Sequence, residues 1–513
     1  MNEQLALLPE YLTAHIQLTL LALLFSAAIS LPLGIFVTRS PWLEPLVLGI
    51  AGVIQTVPSL ALLAVMVPLL ASVDLQSIGF LPAIVGLTLY GIFPILRNTV
   101  TGIAGVNLAL KEAAQAVGMT PAQQLTRVEL PLAMPMIVAG IRTSTVWIVG
   151  IATLSTPVGA TSLGNYIFSG LQTRNYTAIL IGCLAAAVLA LVLDGLVRAI
   201  ERGVQTRRKR PVWAALGIVL SLYGYAAITL ATPLFGGPDR PVVIGAKTFT
   251  EQYILSAILS EWIEQHTDRS TTLVQSLGSM VAFDALAAGD IDVYVDYSGT
   301  LWANEMGQGN VTASRTEVLG KVERFLREER GLTMAATLGF ENSYALAVRS
   351  ADADRLGLSQ VSDLDRYAPR FAMGGDYEFF ARPEWPAIRD TYNLAFRELV
   401  TMDSTLMYQA AALGQVDVIS AFSSDGRVTA YNLTVLEDDR AAIPPYDAVV
   451  LASERLARDE PAVIDALSWL DSTISAEQMR TMNLEVDEQG ENPRVVARRF
   501  VAELAATVAA ASR

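Results

Sequence analysis

The chain has 513 residues, 52% of them hydrophobic, and its formal net charge of −14 is unevenly distributed. Residues 1–210 carry a net charge of +4, whereas residues 211–513 carry −18. This length predicts two or more folding units, and the acidic second part argues against nucleic-acid binding, which needs a positive surface.

Residue types that support redox, metal or nucleotide chemistry are sparse. One cysteine, Cys183, cannot form a disulfide within the chain, and His15 and His266 are too far apart in sequence to suggest a histidine metal cluster. The sequence contains no GxxxxGK[ST] phosphate loop, so ATP hydrolysis would need another polypeptide. We therefore expect no catalytic site, no metal and no cofactor in this chain.

Six apolar runs in the first part are each near the ~20 residues that cross a bilayer. They lie at roughly 16–38, 45–71, 80–101, 131–156, 176–198 and 212–232. We interpret residues 1–210 as an all-α membrane domain with spans one to five, and residues 211–240 as the sixth span and a linker.

The orientation of these spans follows from a basic cluster between spans five and six. It consists of Arg198, Arg202, Arg207, Arg208, Lys209 and Arg210. Because such clusters stay in the cytoplasm, we expect the N-terminus outside, the loop between spans three and four inside, and everything after about residue 235 outside.

The loop between spans three and four, residues 112–131, is polar and reads EAAQAVGMTPAQQLTRVELP. We expect a helix to start with three residues whose side chains allow close approach of a partner, namely Glu112, Ala113 and Ala114. Gly118 can adopt the left-handed conformation that ends this helix.

A second helix is predicted directly after this turn. Thr120 is its expected N-cap, Pro121 its first residue, and Gln123 the partner that completes a capping box. The segment therefore predicts a helix, a turn and a second helix at a membrane surface.

This loop resembles the EAA loop of bacterial ABC importer permeases. The signature falls here on Glu112, Ala113, Ala114, Gly118, Val128, Leu130 and Pro131. The resemblance implies a type I permease fold, a coupling helix that docks on a separate cytoplasmic ATPase, and pairing of two copies of this chain. The alternative is an ordinary cytoplasmic loop helix.

Strand and helix patterns alternate after the turn-rich linker at 235–238. Val242 to Ala246 is typical of a buried strand, Thr250 of an N-cap, and Glu251 to Gln265 of an amphipathic helix. This rhythm predicts parallel sheets covered by helices. We interpret residues 241–513 as an α/β domain with two lobes.

An internal repeat supports the two lobes. GDIDVYVDY at 289–297 returns 125 positions later as GQVDVISAF at 414–422, and Ser279 and Ser404 precede the two copies at the same offset. Each copy ends in an aromatic residue, Tyr297 or Phe422. Because ligands bind at the carboxyl ends of strands in open α/β sheets, both residues are expected to face a cleft that closes by a hinge.

The second part resembles, over nearly all of 241–513, binding proteins for glycine betaine, proline betaine, choline and carnitine. The matching stretches are 245–248, 296–300, 341–346, 423–427 and 444–447. The resemblance implies a periplasmic-binding-protein fold. It also implies an aromatic cage for a quaternary ammonium at Tyr297, Tyr344, Phe422 and Tyr446. Phe422 replaces a tyrosine that is usual in the family.

Aromatic rings suit this ligand because a trimethylammonium group has no N–H donor and is attracted to the negative faces of rings. A betaine also has a carboxylate that needs donors when buried. The resemblance assigns Lys247, Thr300 and Arg382 to that carboxylate, and the alternative for Arg382 is a surface residue before Pro383. Asn342, two residues before Tyr344, is a candidate for a further polar contact, and the alternative is that it only fixes its own loop. The cationic pair Lys247 and Arg382 favours a betaine over choline. Asp296 and Asp425 are expected to be structural.

Together these features predict a fused permease and binding subunit of an ATP-driven importer in the bacterial inner membrane. The expected ligand is a quaternary-ammonium osmoprotectant, glycine betaine or proline betaine first, with choline or carnitine as the alternative. A membrane-anchored sensor would need neither a multi-span pore nor a coupling loop. An enzyme acting on a choline-like substrate would need a nucleophile, base or metal that the matched positions do not offer.

Overall fold

The computed structural model describes residues 5–73, 75–173, 175–206, 209–231, 240–308, 313–376, 378–382 and 384–511. It divides into two compact units, residues 1–170 with 176–239, and residues 240–513 with 171–175. The expected linker at 235–238 and two arginines of the basic cluster, Arg207 and Arg208, lie outside the described residues.

Helices make up the described part of the first unit. They are α1 (Leu8–Val37), α2 (Leu43–Thr56), α3 (Ser59–Ala71), α4 (Phe80–Ala104), α5 (Leu108–Ala116), α6 (Pro121–Gln124), α7 (Leu130–Ala152), α8 (Gly164–Gln172), α9 (Tyr176–Gln205) and α10 (Lys209–Ala231). A π-helical turn, Leu125–Glu129, joins α6 to α7, so that the two form one continuous rod.

Within the described residues, five helical segments are long and apolar enough to cross a membrane: α1, α4, the rod that contains α7, α9 and α10. A sixth span results if α2 and α3 are taken together, but this pair bends by 100°. The apolar run predicted at 45–71 is therefore two helices with a break at Pro58. Pro58 cannot donate a helical hydrogen bond, and it holds Val57 in an extended conformation with ψ 131°.

Helix α4 packs against both α1 and α7 at the centre of the first unit. A Cβ atom on Gly140 of α7 would lie 2.8 Å from the Pro94 carbonyl oxygen of α4, so only glycine permits this approach. Ser26 donates a hydrogen bond to the Thr88 carbonyl, and Ser144 donates one to Gly91. Small residues and such hydrogen bonds are the usual means of packing helices within lipid.

The segment between the third and fourth apolar spans has the predicted helix, turn and helix. Gly118 has φ +78°, and Thr120 and Gln123 form both hydrogen bonds of a capping box. One detail of the prediction is wrong. Helix α5 begins at Leu108, capped by the Asn107 side chain, so Glu112 lies in its second turn instead of starting it.

Strands and helices alternate in the second unit. The strands are β1 (Val242–Lys247), β2 (Thr271–Leu277), β3 (Val293–Tyr297), β4 (Thr333–Glu341), β5 (Tyr344–Arg349), β6 (Ala372–Gly375), β7 (Glu398–Thr401), β8 (Val418–Phe422), β9 (Leu433–Val435) and β10 (Asp447–Ala452). The main helices are α11 (Thr250–His266), α12 (Ser279–Ala288), α13 (Arg315–Glu329), α14 (Ser350–Leu356), α15 (Glu384–Tyr392), α16 (Ser404–Ala412), α17 (Glu454–Asp459), α18 (Pro461–Ser468), α19 (Ala476–Asp487) and α20 (Pro493–Ala511).

These strands form two five-stranded sheets, one per lobe. Their orders are β2-β1-β3-β10-β4 and β7-β6-β8-β5-β9. The expectation of parallel sheets is wrong for half of each, because β10 is antiparallel to β3 and β4, and β5 is antiparallel to β8 and β9. The chain enters lobe 2 at 342–343 and returns at 436–446. Strands β5 and β10 directly follow these two crossings, without the helical connection that joins neighbouring parallel strands.

The internal repeat is confirmed by the topology. Strands β3 and β8, which end the two copies, are the third strands of their sheets, and each follows a helix that begins with a serine, Ser279 or Ser404. The neighbouring fourth strands also correspond. In the hydrogen-bonded register Tyr297 pairs with Ala448, and Phe422 pairs with Tyr344.

Helix α11 covers the lobe 1 sheet with an apolar face. Ile254, Ile258 and Trp262 are at most 1% exposed. All residues from 250 to 259 are buried, so the prediction of an amphipathic helix is wrong for the first part of α11, which is covered on every side. The N-cap prediction is wrong by one residue, since Phe249 is the N-cap. The Thr250 hydroxyl instead donates a hydrogen bond of 2.6 Å to the Asp487 carboxylate.

Candidate functional site

Four aromatic side chains line one cavity of about 270 Å³ in the second unit: Tyr297, Tyr344, Phe422 and Tyr446. Each lobe provides two of them from adjacent strands. Tyr297 ends β3 and Tyr446 directly precedes β10, whereas Tyr344 begins β5 and Phe422 ends β8. The four residues that the sequence assigned to a cage therefore lie together, and their contact with a ligand stays a prediction.

The Tyr344 ring stands at the centre of this group. Its centroid is 5.0 Å from that of Phe422 and 6.3 Å from that of Tyr446, with the Tyr446 ring nearly perpendicular at 88°. Tyr297 stands apart, stacked on Phe249 at 6.1 Å. At these distances the rings pack directly against one another beside the cavity that they line.

Gly299 permits the position of the Tyr446 ring. A Cβ atom at residue 299 would lie 2.5 Å from two carbons of that ring, far inside a normal carbon contact of about 3.5 Å. This explains the need for glycine in the turn Ser298–Thr300 that follows β3.

Lys247, a predicted carboxylate ligand, lines the cavity but is already ion-paired. Its ammonium group contacts the buried Asp296 carboxylate. Asp296 also accepts hydrogen bonds from the Tyr294 hydroxyl and from the backbone N–H of Tyr297, the latter at 2.7 Å. Asp296 thus holds a cationic side chain and a cage residue in place, which agrees with the structural role expected for it.

Arg382 is also ion-paired. Its Nη2 atom donates to Glu384 at 2.8 Å and to the Tyr446 hydroxyl at 3.2 Å, and its guanidinium carbon lies 5.3 Å from the Tyr344 ring centroid. Glu384 is buried and accepts a second hydrogen bond from Tyr446. Arg382 therefore supports two cage rings in addition to its predicted role.

Thr300 and Asn342, the remaining predicted contacts, also line the cavity. The backbone N–H of Asn342 donates to the Tyr446 carbonyl at 3.0 Å, which ties the two crossings between the lobes together. Its side-chain amide donates to Glu251 at 3.0 Å. Asp425, expected to be structural, forms a bidentate pair with Arg427.

The main residue that the sequence analysis missed is Glu251, at the start of α11. It accepts hydrogen bonds from the Tyr297 hydroxyl, from Asn342, and from Asn483 at 3.1 Å. Burial raises the pKa of the Glu251 carboxyl, and these donors oppose that rise. Its position just after β1, at the carboxyl end of a strand, was a signal that could have identified it.

Two further carboxylates were missed. Asp376 is buried at the cavity, where its Oδ1 atom accepts from two backbone N–H groups and its Oδ2 atom has no hydrogen-bond partner among the residues that the structure describes. Burial raises the pKa of Asp487 to about 7, although Arg427 opposes the shift.

Carboxylates outnumber cations around the cavity. Among the described lining residues, six are acidic and three are basic, a formal charge of −3. The acidic ones are Glu251, Asp376, Glu378, Asp403, Asp425 and Asp487, and the basic ones are Lys247, Arg382 and Arg427. This charge is the formal count, and burial raises the pKa of Glu251, Asp376 and Asp487.

The predicted coupling residues lie on the short helix α5 and the turn that follows it. Glu112, Ala113 and Gly118 are exposed, and Ala114 packs inward. Leu108 and Val117 on the same segment are 66% and 73% exposed. The segment therefore has apolar side chains that are exposed in the described structure.

Family models match both units. Residues 30–206 match the binding-protein-dependent transport system inner membrane component, and residues 240–503 match the substrate binding domain of ABC-type glycine betaine transport systems. The chain belongs to the osmoprotectant ABC importer family. It is a multi-pass inner-membrane protein in which the permease and the substrate-binding domain are fused, as the sequence predicted.

Of three relatives, one spans both parts of the chain, and the other two each match one part. The chain is 29% identical over 92% of its length, and 86% of the relative's, to the ergothioneine transport permease/ergothioneine binding protein EgtU of Helicobacter pylori. Its permease part is 45% identical to the choline transport system permease protein OpuBB of Bacillus subtilis, over 37% of this chain and 84% of that one. Its binding part is 30% identical to the carnitine transport binding protein OpuCC of Listeria monocytogenes, over 57% and 96%.

Proposed function

We propose that this fused importer subunit binds a small zwitterion with a trimethylammonium group, of the glycine betaine or proline betaine type, and passes it across the inner membrane. The observation that carries the proposal is the set of four aromatic side chains around one cavity with a formal charge of −3. Aromatic faces and excess negative charge both attract a cation that has no hydrogen to donate.

The four rings can together contribute a binding energy of the order needed for micromolar affinity. A desolvated cation–π contact contributes about 2 kcal/mol, and micromolar binding corresponds to about 8 kcal/mol. Four rings reach this range before the cost of closing the lobes.

The carboxylate of the ligand is proposed to contact Thr300, Lys247 and Arg382. Both cations already have protein partners, Asp296 and Glu384, so the ligand carboxylate would share them. Thr300 lines the same cavity and adds a neutral hydroxyl donor. This arrangement supports a zwitterion more than an anion, because the cations are largely neutralised within the protein.

A second candidate ligand is a larger betaine that also carries an N–H donor, such as ergothioneine, whose ring nitrogens bear hydrogen. The observation that favours it is the buried Oδ2 atom of Asp376, an acceptor without a partner at the cavity. The EgtU relative supports the same candidate. Choline and carnitine remain the other members of this ligand class.

Energy coupling is proposed to occur through α5 and the Gly118 turn. The exposed Leu108, Val117 and Glu112 support docking on a separate cytoplasmic ATPase. The proposal places this segment in the cytoplasm and the binding domain outside the cell, as the basic cluster after span five indicates. Two copies of the chain would pair to form the pathway.

The ligand assignment is tested by calorimetry on the purified full chain with glycine betaine, proline betaine, carnitine, choline and ergothioneine. We expect a trimethylammonium zwitterion to bind most tightly. Failure of all five to bind would overturn the proposal.

The carboxylate site is tested by Thr300→Val and Arg382→Lys. A hydrogen bond to a charged group contributes about 1.5–3 kcal/mol, so Thr300→Val should weaken the zwitterion about tenfold or more and leave choline nearly unchanged. Arg382→Lys keeps a charge beside Glu384 but loses the two-pronged geometry, so the zwitterion should again be affected most. Equal losses for zwitterion and choline would remove both residues from the carboxylate site.

A further inference from the structure

Glu251 is buried to 3% exposure and still lines the ligand cavity. Its carboxylate accepts hydrogen bonds from Tyr297 and Asn342 on Oε1 and from Asn483 on Oε2. All of its hydrogen-bonding partners are neutral groups. Its ionised form is therefore stabilised by dipoles and not by a cation, and burial raises its pKa.

The other buried charges at the cavity are paired differently. Lys247 has Asp296, Arg382 has Glu384, and Arg427 has Asp425. A buried charge without a partner of opposite sign is costly. Glu251 and Asp376 are the buried cavity carboxylates whose hydrogen-bond donors are neutral, and a cationic ligand would offset the cost of ionising Glu251.

The position of Glu251 beside Tyr297 shows which part of a ligand its charge would act on. Its hydrogen bond with the Tyr297 hydroxyl connects it to one wall of the cage, and both residues line the cavity. A carboxylate that accepts from a phenol increases the negative charge of the ring, and it also attracts a cation on the other side through a low-dielectric interior.

We propose that Glu251 is the counter-ion of the ligand's ammonium group and acts on it through the Tyr297 ring. The inference rests on the proposed function, since it requires a trimethylammonium ligand in this cage. Glu251 is then a positioning residue that makes the cage select charge, and not only shape.

The same network reaches lobe 2. The amide of Asn483 in α19 donates both to Glu251 and, at 3.0 Å, to the carbonyl of Ser424. Asn342 belongs to one of the two crossings between the lobes. The counter-ion is thus hydrogen-bonded to the parts of the domain that must come together for closure.

The test compares a cation with its uncharged carbon isostere. The full chain is titrated by calorimetry at pH 8.5 with glycine betaine and with 3,3-dimethylbutanoate, in which a tert-butyl group replaces the trimethylammonium. Glu251→Gln should weaken glycine betaine at least tenfold and change 3,3-dimethylbutanoate by less than twofold. Glu264→Gln, an exposed change of the same kind in α11, is the control and should alter neither affinity.

A double-variant measurement adds a readout that a purely structural role would not change. In a Tyr297→Phe background the hydroxyl link is gone, so Glu251→Gln should cost glycine betaine much less than in the wild type. Glu251→Asp keeps the charge and should retain part of the preference for the cation, which covers the case in which Glu251→Gln folds poorly.

The possible results distinguish failure of the counter-ion role from failure of the proposed function. Parallel losses for glycine betaine and its isostere, or an undiminished effect in the Tyr297→Phe background, would overturn the counter-ion role. Full affinity of Glu251→Gln for glycine betaine would also overturn it. If the wild type binds no trimethylammonium compound, the proposed function fails instead.

Discussion

Replacement of Gly299 by alanine tests whether the Tyr446 ring is part of the binding cage. The added Cβ atom would lie 2.5 Å from two ring carbons, so the ring must move by about 1 Å to restore normal contact. The ring is 2% exposed, and its hydroxyl is held by Glu384 and Arg382. Movement therefore breaks those hydrogen bonds or tilts the ring out of the cage.

We expect Gly299→Ala to lose most of one cation–π contact of about 2 kcal/mol, which is roughly a thirtyfold loss of affinity. Overpacking should also lower the free energy of unfolding by about 1–3 kcal/mol. Calorimetry with glycine betaine and thermal unfolding of the full chain measure the two effects.

The matched control is Gly278→Ala, at the N-cap of α12. Its added Cβ atom would lie 3.7 Å from Val281, an ordinary contact, and its φ of −62° suits alanine. The control should bind and unfold like the wild type. Wild-type affinity in Gly299→Ala would show that the Tyr446 ring does not contact the ligand, and the cage would then have to be redrawn.

Two other predictions concern coupling and pH. Gly118→Val places a branched side chain at a backbone φ of +78°, which costs about 1–2 kcal/mol. We expect uptake of labelled glycine betaine to be lost while binding is kept. Undiminished uptake would refute the assignment of the coupling turn. Burial raises the pKa of Asp487 from 3.8 to about 7, so its contribution to stability is full below about pH 4 and is lost as the pH rises towards 7. Asp487→Asn should therefore gain stability over the wild type between pH 5 and pH 7.5 in denaturant titrations, and a constant difference would contradict this sign.

Local chemistry in the sequence predicted the loop between spans three and four well. The left-handed Gly118 and the capping box of Thr120 and Gln123 depend on residues within a few positions of each other. The start of α5 was missed because Asn107, the actual cap, lies before the recognised signature.

The family resemblance assigned the four aromatic residues, and the internal repeat independently placed two of them, Tyr297 and Phe422, at equivalent strand ends. The hydrogen-bond and ion-pair partners of the charged residues could not be predicted from the sequence. Glu251 and Asn483 are 232 positions apart and meet only through the packing of α11 and α19. The antiparallel halves of the sheets depend on where the chain crosses between lobes, and no local pattern encodes that crossing.

The ion pairs of Lys247 and Arg382 link two parts of ligand selectivity that the sequence analysis treated separately. From the sequence, Lys247 and Arg382 favour a ligand with a carboxylate. In the structure each of them also holds a cage tyrosine or its neighbours through Asp296 or Glu384. The residues proposed to bind the ligand carboxylate therefore also hold the rings proposed to bind its ammonium group. We expect a substitution of Lys247 or Arg382 to affect the binding of both ends of the ligand.

The central claim is that the cavity recognises a quaternary ammonium by its charge. The most direct measurement is the ratio of dissociation constants of the wild-type full chain for glycine betaine and for 3,3-dimethylbutanoate. The account predicts that glycine betaine binds at micromolar concentration or below and at least a hundredfold more tightly than the isostere. Equal affinities, or tighter binding of the isostere, would contradict it.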